Sequence, residues 1–584
     1  MNTLVLHLIM LFGGLAFFLY GMNIMSSGLE KMAGGKLQRA LNSMTSNPIK
    51  SLALGAGITI AIQSSSALTV MLVGLVNSGI MEIGQTVGVI MGSNVGTTLT
   101  AWLLSLAGIE SDVLWLQLLK PKNFSLVFAF IGILFIMLSK NNKKKDIGSI
   151  LVGFAILMYS MELMGNAVDP LKESEQFASI LTAFTNPLLG VAVGAIFTGV
   201  IQSSAASVSI LQTLSLTGSV TFGMAIPIIM GQNIGTCVTA LISSIGVNRN
   251  ARKVSVIHIS FNLIGTVVFL VFYYIFTLLF PLEFLSEAAS PIGIAVSHTI
   301  FNVMTTAMLL PFSKMLVAIA NKFIPDKEEK KEETAPFIDA RLFATPAFAI
   351  QECHNMTVGM ANVANKTIGT SIQLLNKYDP ELAATIAAYE DELDTYEDHL
   401  GTALVKISSH DLSDSDSHVV SKLLHTIGDF ERLGDHALNL KKVAEEIEEK
   451  NIVFSLEANR ELGTLGEAIT EIMDITIKAF ETNDLELAKR VEPLEQVIDK
   501  LIAESKTNHI ERLRKGNCTI EMGFILSDWL TNYERISDHC SNIAVAVIEV
   551  AHDSFDTHEY LNNLKQNNPE FIALFDEYRV KYTV

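Results

Sequence analysis

The chain has 584 residues, a formal net charge of −19, 49% hydrophobic residues and a mean hydropathy of +0.39. The charge is unevenly spread: residues 1–324 hold 16 Lys and Arg against 11 Asp and Glu, leaving 25 and 49 of the total 41 and 60 for the remainder. A sparsely charged part at +5 and a dense part at −24 exclude a single uniform soluble domain, and the length is too great for one core.

Charge-free apolar runs cover residues 1–29, 51–81, 83–109, 123–139, 176–248, 254–282 and 288–313. About 20 such residues cross a bilayer as a helix, so residues 1–324 predict a polytopic membrane domain with lipid as its surroundings. Met1-Asn2-Thr3-Leu4 lacks the basic region of a secretory signal, and no small-residue cleavage site follows, which predicts a retained first helix. The cysteines Cys237, Cys353, Cys518 and Cys540 show no metal-like spacing and indicate no disulfide framework.

The membrane part repeats itself at a constant offset of 139 residues. Tyr20 falls on Tyr159, Met22 on Met161, Asn47-Pro48 on Asn186-Pro187, and Gln63-Ser64-Ser65 on Gln202-Ser203-Ser204. Gly92-x-Asn94-x-Gly96-Thr97 falls on Gly231-x-Asn233-x-Gly235-Thr236. The repeats occupy about 1–139 and 140–280, with an extra helix at 288–318. Loop charges alternate along the chain: 26–46 is +2, 108–123 is 0, 140–146 is +3, 165–185 is −2, 247–254 is +3 and 282–290 is −2. Basic loops stay in the cytoplasm, so matching loops of opposite sign predict inverted repeats with the N-terminus outside.

That alternation requires an odd number of crossings within 47–107. Residues 47–79 are too long for one pass at ~1.5 Å per residue, so they predict a re-entrant hairpin folded at Gln63-Ser64-Ser65-Ser66, followed by a broken span through 92–98. The second half predicts the same arrangement. Inverted repeats with interrupted helices are the build of secondary transporters, whose substrate sits near the mid-plane between the halves.

The Gln-Ser-Ser and Asn-x-Gly-Thr clusters offer amides and hydroxyls that donate and accept hydrogen bonds. Half-helix N-termini add free N–H groups and favour an oxyanion, while carbonyl and side-chain oxygens suit a small hard cation. No Lys or Arg lies in these segments. A phosphate dianion buried there would lack a counter-charge, at a cost of several kcal/mol or more, and co-bound Na⁺ would supply it. The competing reading is that Ser, Thr and Gly only let helices approach; two Gln-Ser-Ser clusters at matched repeat positions favour a site. His258 with Asn262 and His298 with Asn302 fit helix packing as well as a ligand role and are left outside the site.

These residues resemble the type II sodium-phosphate cotransporter family, whose paired Q-S-S-S motifs are similar to Gln63-Ser64-Ser65-Ser66 and Gln202-Ser203-Ser204-Ala205. Its G-x-N-x-G-T elements are similar to 92–97 and 231–236, and its H-x-x-F-N pattern is also present. The resemblance spans about 1–320. It implies sodium-driven phosphate symport, with phosphate at Gln63, Ser64, Ser65, Ser66, Gln202, Ser203 and Ser204, and sodium at Asn94, Thr97, Thr98, Asn233 and Thr236. Ala205 in place of Ser66 and Cys237 in place of Thr98 each remove a hydroxyl from the second half.

After a charged linker at 325–337, residues 338–584 read as helical throughout, with a second duplication. Glu431 and Asp435 match Glu534 and Asp538 at an offset of 103, and Glu390 and Asp394 match Glu495 and Asp499 at 105. Two three-helix bundles follow. Acids at i and i+4 share a helix face, and facing pairs in a bundle can clamp a divalent or trivalent metal. The competing reading is a solvated acidic face. The part resembles the PhoU family, which implies metal-binding E-x-x-x-D motifs and regulation of phosphate uptake. No nucleophile or general acid stands beside these faces, so no enzyme is expected.

The whole predicts an all-α protein of the bacterial inner membrane: two inverted repeats with re-entrant hairpins and broken helices, and a soluble cytoplasmic domain. Its expected partners are inorganic phosphate, sodium ions and lipid, with a homodimer open and no nucleic acid. A phosphate receptor that signals through its tail, and an exporter of the same family, are the alternatives.

Overall fold

A computed structural model describes residues 3–33, 47–78, 81–106, 121–168, 185–280, 282–325, 338–410, 412–552 and 569–583. Most of the expected loops 26–46, 108–123 and 165–185, and most of the linker 325–337, lie outside the described residues. The chain divides into two compact units: Met1–Lys330 with Asp339–Phe348, and Lys331–Ile338 with Ala349–Val584. Both are helical, and the only extended pairing among the described residues is an isolated bridge between Thr221 and Ala288.

The first unit contains α1 (Thr3–Ala33), α2 (Pro48–Ile62), α3 (Ser65–Asn77), α4 (Ile83–Ser105), α5 (Pro121–Leu138) and α6 (Asn142–Val168). It continues with α7 (Pro187–Ile201), α8 (Ser204–Ser215), α9 (Phe222–Ser243), α10 (Arg249–Leu279), α11 (Pro291–Leu309) and α12 (Ser313–Phe323). Among the described residues six stretches are long and apolar enough to cross a membrane, the last running from Pro291 to Phe323. The expected single helix at 288–318 is therefore divided. Pro311 sits in a short 3-10 turn, Leu310–Phe312, where its missing N–H interrupts the α-helical ladder.

The polarity of this unit is inverted relative to a water-soluble core. Phe12, Met137, Val200 and Leu278 face outward, while Thr59, Ser93, Gln212, Asn262 and Asn302 are buried. An exterior of that kind is stable only against lipid.

The packing of α1 on α6 establishes that the repeats are inverted. Gly14 meets Ser160 and Met164, Gly21 meets Gly153 and Leu157, and Gly28 meets Asp146 and Ile150. Partner numbers fall as α1 rises, so the helices run antiparallel. Because α1 and α6 hold the same place in their repeats, one repeat is turned over relative to the other.

Within each repeat the first hairpin arm lies parallel to the long helix that follows. A Cβ on Gly55 would stand 2.1 Å from the Val89 carbonyl oxygen, and one on Gly92 would stand 2.0 Å from that of Leu52. The matched contacts are Gly194 to Ile228 at 2.2 Å and Gly231 to Val191 at 2.0 Å. These contacts overturn the expected breaks at 92–98 and 231–237, because α4 and α9 run unbroken through both motifs. The glycines are there for backbone approach between helices, as small residues are in membranes, and they do not interrupt the helix.

Among its described residues the second unit has six long helices in two consecutive sets of three. They are α13 (Pro346–Asn376), α14 (Pro380–Ser408) and α15 (Asp414–Glu449), then α16 (Leu456–Thr482), α17 (Leu485–Arg514) and α18 (Ile520–His552). A shorter α19 (Pro569–Lys581) packs on α17. The two sets also meet each other: His539 of α18 bonds Asp429 of α15 at 2.9 Å, and Asn365 of α13 bonds Asp474 of α16 at 3.0 Å.

One ion pair is buried between α16 and α17. The Arg512 guanidinium grips Glu461 through both nitrogens at 2.7 and 3.0 Å, and Ser505 and Asn508 donate to the same carboxylate. Both side chains are 7% exposed. Removing one partner of such a pair leaves a buried charge alone and costs about 3–5 kcal/mol, whereas replacing both by apolar groups is far milder. Arg512→Ala is therefore expected to strip hydrogen-exchange protection from α16 and α17, and the double change Glu461→Met with Arg512→Met to restore most of it.

Candidate functional site

The Asn-Pro pairs start the first arm of each hairpin. Asn47 Oδ1 accepts from the N–H groups of Ile49 and Lys50, and Asn186 Oδ1 from those of Leu188 and Leu189. Pro48 and Pro187 take the first helical position, where no N–H is needed. The arms end at Gln63 and Gln202, whose backbones are left-handed with φ of 52° and 57°. That conformation disfavours a Cβ, and it reverses the chain within two residues. Ser64 and Ser203 then cap the second arms, each Oγ accepting from an N–H three residues on, Ala67 at 3.1 Å and Ala206 at 3.2 Å.

The two turns meet. One cavity of about 120 Å³ is lined by Gln63, Ser64, Ser65 and Ser66 from the first hairpin and by Gln202, Ser203, Ser204 and Ala205 from the second. Met22, Thr59, Thr97 and Thr100 complete its wall. The cavity thus receives the N-termini of α3 and α8, whose leading N–H groups have no partner within their own helix. No charged side chain lines it. Such a site presents hydroxyls, amides and two positive helix ends, which is oxyanion chemistry.

The paired glutamines are not equivalent. Gln63 is nearly buried, with Nε2 donating to the Ile60 carbonyl at 2.7 Å and Oε1 accepting from Thr100 Oγ1 at 2.9 Å. Thr239, which matches Thr100 at the repeat offset, donates instead to the Thr236 carbonyl at 2.8 Å. Gln202 also lines the cavity and is exposed. Gln63 therefore ties its hairpin to α4, while Gln202 is the more exposed of the two lining glutamines.

Of the residues expected to hold sodium, the structure brings Thr97 to the cavity wall; Asn94, Thr98, Asn233 and Thr236 are not among its lining. They are buried within α4 and α9, and each donates to a backbone carbonyl of its own helix. Asn94 bonds Ile90 at 2.9 Å, Thr98 bonds Val95 at 2.7 Å, Asn233 bonds Ile229 at 3.0 Å and Thr236 bonds Gln232 at 3.0 Å. Thr59 and Thr100 were missed by motif reading. Their matches Thr198 and Thr239 at the same offset were the available signal.

In the second unit the acids act on one another in two groups. Burial and the neighbouring carboxylates Asp394, Asp391 and Asp435 raise the pKa of Glu390, and burial with Asp435 raises that of Asp394 and Glu431. Burial, Asp538, Glu534 and Glu492 raise that of Asp499. Several of these acids already hold partners: Asp435 bonds Arg432 at 2.8 Å, Asp538 bonds Arg535 at 3.3 Å and Glu534 bonds Lys506 at 3.1 Å. Glu495 accepts from the Gln496 amide at 2.9 Å. Among the described residues no three metal-capable side chains converge into a ligand set. The expected ligands Glu390, Asp394, Glu431, Asp435, Glu495, Asp499, Glu534 and Asp538 thus stand in two groups of interacting acids, with Arg432, Arg535 and Lys506 paired to three of them.

Inverted helical repeats with facing hairpins around a polar cavity define a membrane protein of the transporter type. The Na+/Pi-cotransporter family model matches residues 17–166 and 156–285, and the PhoU domain model matches 357–444 and 462–547. The chain belongs to the Na+/Pi-cotransporter family and carries PhoU domains at its C-terminal side.

YjbB of Escherichia coli (strain K12), named as a candidate inorganic phosphate export protein, is 23% identical over 573 residues, covering 95% of this chain and 100% of that one. YqeW of Bacillus subtilis (strain 168) is 27% identical over 315 residues, 53% of this chain and 96% of its own. Sodium-dependent phosphate transport protein 2A of Rattus norvegicus is 34% identical over 116 residues, 19% and 18% of the two chains. A crystal structure of PhoU from Pseudomonas aeruginosa aligns at 20% identity with a TM-score of 0.34, covering 35% of this chain and 98% of that one.

Proposed function

We propose that the chain moves inorganic phosphate together with sodium across the bacterial inner membrane, and that its PhoU domains regulate that movement from the cytoplasm. One observation supports this above the rest: the two Gln-Ser-Ser turns share a single cavity with no charged residue in its wall. A phosphate there gains hydrogen bonds from the turns and helix ends but no counter-ion from the protein. Sodium provides the missing charge, and the Ser and Thr oxygens of the cavity wall, Thr97 among them, are hard donors suited to it. Coupling of the two fluxes then follows from the cost of burying either charge alone.

The orientation rests on the basic loop 247–254. Asn248 bonds Asn77 at the end of α3, and Arg249 bonds the Pro325 carbonyl beyond α12. The basic residues and the exit toward the C-terminal unit thus share one end of the first unit, which the positive-inside rule places in the cytoplasm.

The name of the Escherichia coli relative favours outward movement as a second reading of direction, with the same site. Purified chain in vesicles with labelled phosphate tests both. Uptake is expected to fall to the background of empty vesicles when choline replaces sodium. Flux that is indifferent to the cation would refute the coupling, and binding without flux would make the protein a receptor. Reversing the sodium gradient is expected to reverse net flux, since the site itself has no preferred direction.

A further inference from the structure

The 3-10 turn Ala340–Ala344 lies beyond both repeats, yet it belongs to the first unit. Its residues are seated on α3, whose first residues line the cavity, and on the end of α9. Leu342 is fully buried and packs over Gly74 of α3, where the missing side chain leaves the hollow it fills. Asp339, 3% exposed, accepts from the Asn77 amide at the end of α3 and is paired with Arg341 at 2.9 Å. The same Arg341 donates to the carbonyls of Ser243 and Ile245, both at 2.8 Å, at the end of α9. Those carbonyls have no helical N–H to accept from, and a guanidinium is a favourable partner at that negative end. Asn77 is bound a second time by Asn248, the N-cap of α10, through its Oδ1 and its carbonyl.

These bonds tie the far end of one hairpin arm to the opposite repeat. Helix α3 is a rigid rod of 13 residues, about 20 Å long, with Ser64 and Ser65 of the cavity at one end and Asn77 at the other. Alternating access requires one group of elements to move against the other, and α3 cannot shift relative to α9 and α10 while Asp339 and Arg341 bridge them. The grip is one-sided. At the repeat offset, Gly74 is replaced by Thr213 and Asn77 by Leu216, so the second hairpin has no such seat. From Thr345 the chain passes directly into Pro346, the first residue of α13, and from Ala349 it belongs to the second unit.

We propose that residues 339–345 are a latch: a turn just past the linker that locks the second arm of the first hairpin, α3, to α9 and α10, through which the PhoU domains restrain or release transport. This rests on the transport reading above. The test uses the full chain with its four native cysteines replaced and the pair Asn77→Cys with Asp339→Cys introduced, joined by a short bis-methanethiosulfonate that thiol reduces. Sodium-dependent phosphate flux in vesicles is expected to fall at least tenfold on joining and to return on reduction. Full flux in the joined protein, or failure of the two cysteines to join, overturns the latch. Absence of flux in the unjoined and reduced protein counts instead against the transport reading. A second variant reads the latch without flux. Arg341→Ala is expected to speed hydrogen exchange at least tenfold in the last turns of α3 and α9, and unchanged exchange there overturns the proposal.

Discussion

Replacing Gln202 by Ala is expected to weaken apparent phosphate affinity by roughly ten- to hundredfold, the loss of one hydrogen bond to a charged ligand of about 1.5–3 kcal/mol, while the protein remains folded. The reason is the asymmetry at the cavity. Both glutamines line it, but Gln202 is exposed, whereas the Gln63 amide is spent on Ile60 and Thr100. Gln202→Asn keeps an amide and tolerates the left-handed backbone, so it should recover part of the affinity. For Gln63 the expected behaviour differs. Thr100→Val, which removes the hydroxyl donating to Gln63, should reproduce much of the Gln63→Ala defect, and Thr239→Val, whose hydroxyl bonds only its own helix, should do little. Phosphate titrations of sodium-driven flux in vesicles would separate these variants. Equal effects of Thr100→Val and Thr239→Val would remove the basis for giving the two glutamines different roles.

The second large effect is steric. Gly92→Val or Gly231→Val is expected to abolish assembly of the membrane unit, since a Cβ alone would fall 2.0 Å from a carbonyl oxygen of the neighbouring arm. A backbone oxygen held in a helix cannot rotate aside as a side chain can, so the two helices must separate and the cavity between the hairpins must open. Gly57→Ala, in the same arm as Gly55, meets nothing within 4 Å and should be neutral or slightly stabilising. Monodispersity after extraction into mild detergent measures the difference. A well-behaved Gly92→Val protein would show that the close approach of α2 and α4 is not needed.

Much of this architecture was legible in advance because duplication leaves a constant offset. One shift of 139 residues located both hairpins, both long helices and the facing Gln-Ser-Ser turns, and the loop charges predicted the inversion that α1 and α6 display. The turns themselves were readable because Gln63 and Gln202 interrupt otherwise apolar runs too long for one crossing. The reading failed at Gly92-x-Asn94-x-Gly96 and its match. Glycine in an apolar segment signals either a break or a close contact, and composition does not separate the two. The acids of the second unit were legible only in part. Spacing put each pair on one face, but the pairing of Asp435, Asp538 and Glu534 with Arg432, Arg535 and Lys506 is a matter of packing.

The sequence by itself determined that this is a duplicated membrane protein with paired polar motifs free of Lys and Arg and an acidic helical appendage, because hydropathy, charge and repeat offset are properties of residue order alone. Only the tertiary structure decided that Gln63 braces α4 while Gln202 stays exposed, that the Gly-x-Asn motifs stay helical, and that the turn after the linker holds α3 to α9. Each of those depends on which of two equally available partners a polar or small residue meets. That choice is made by helices brought together from distant parts of the chain, beyond the reach of local spacing.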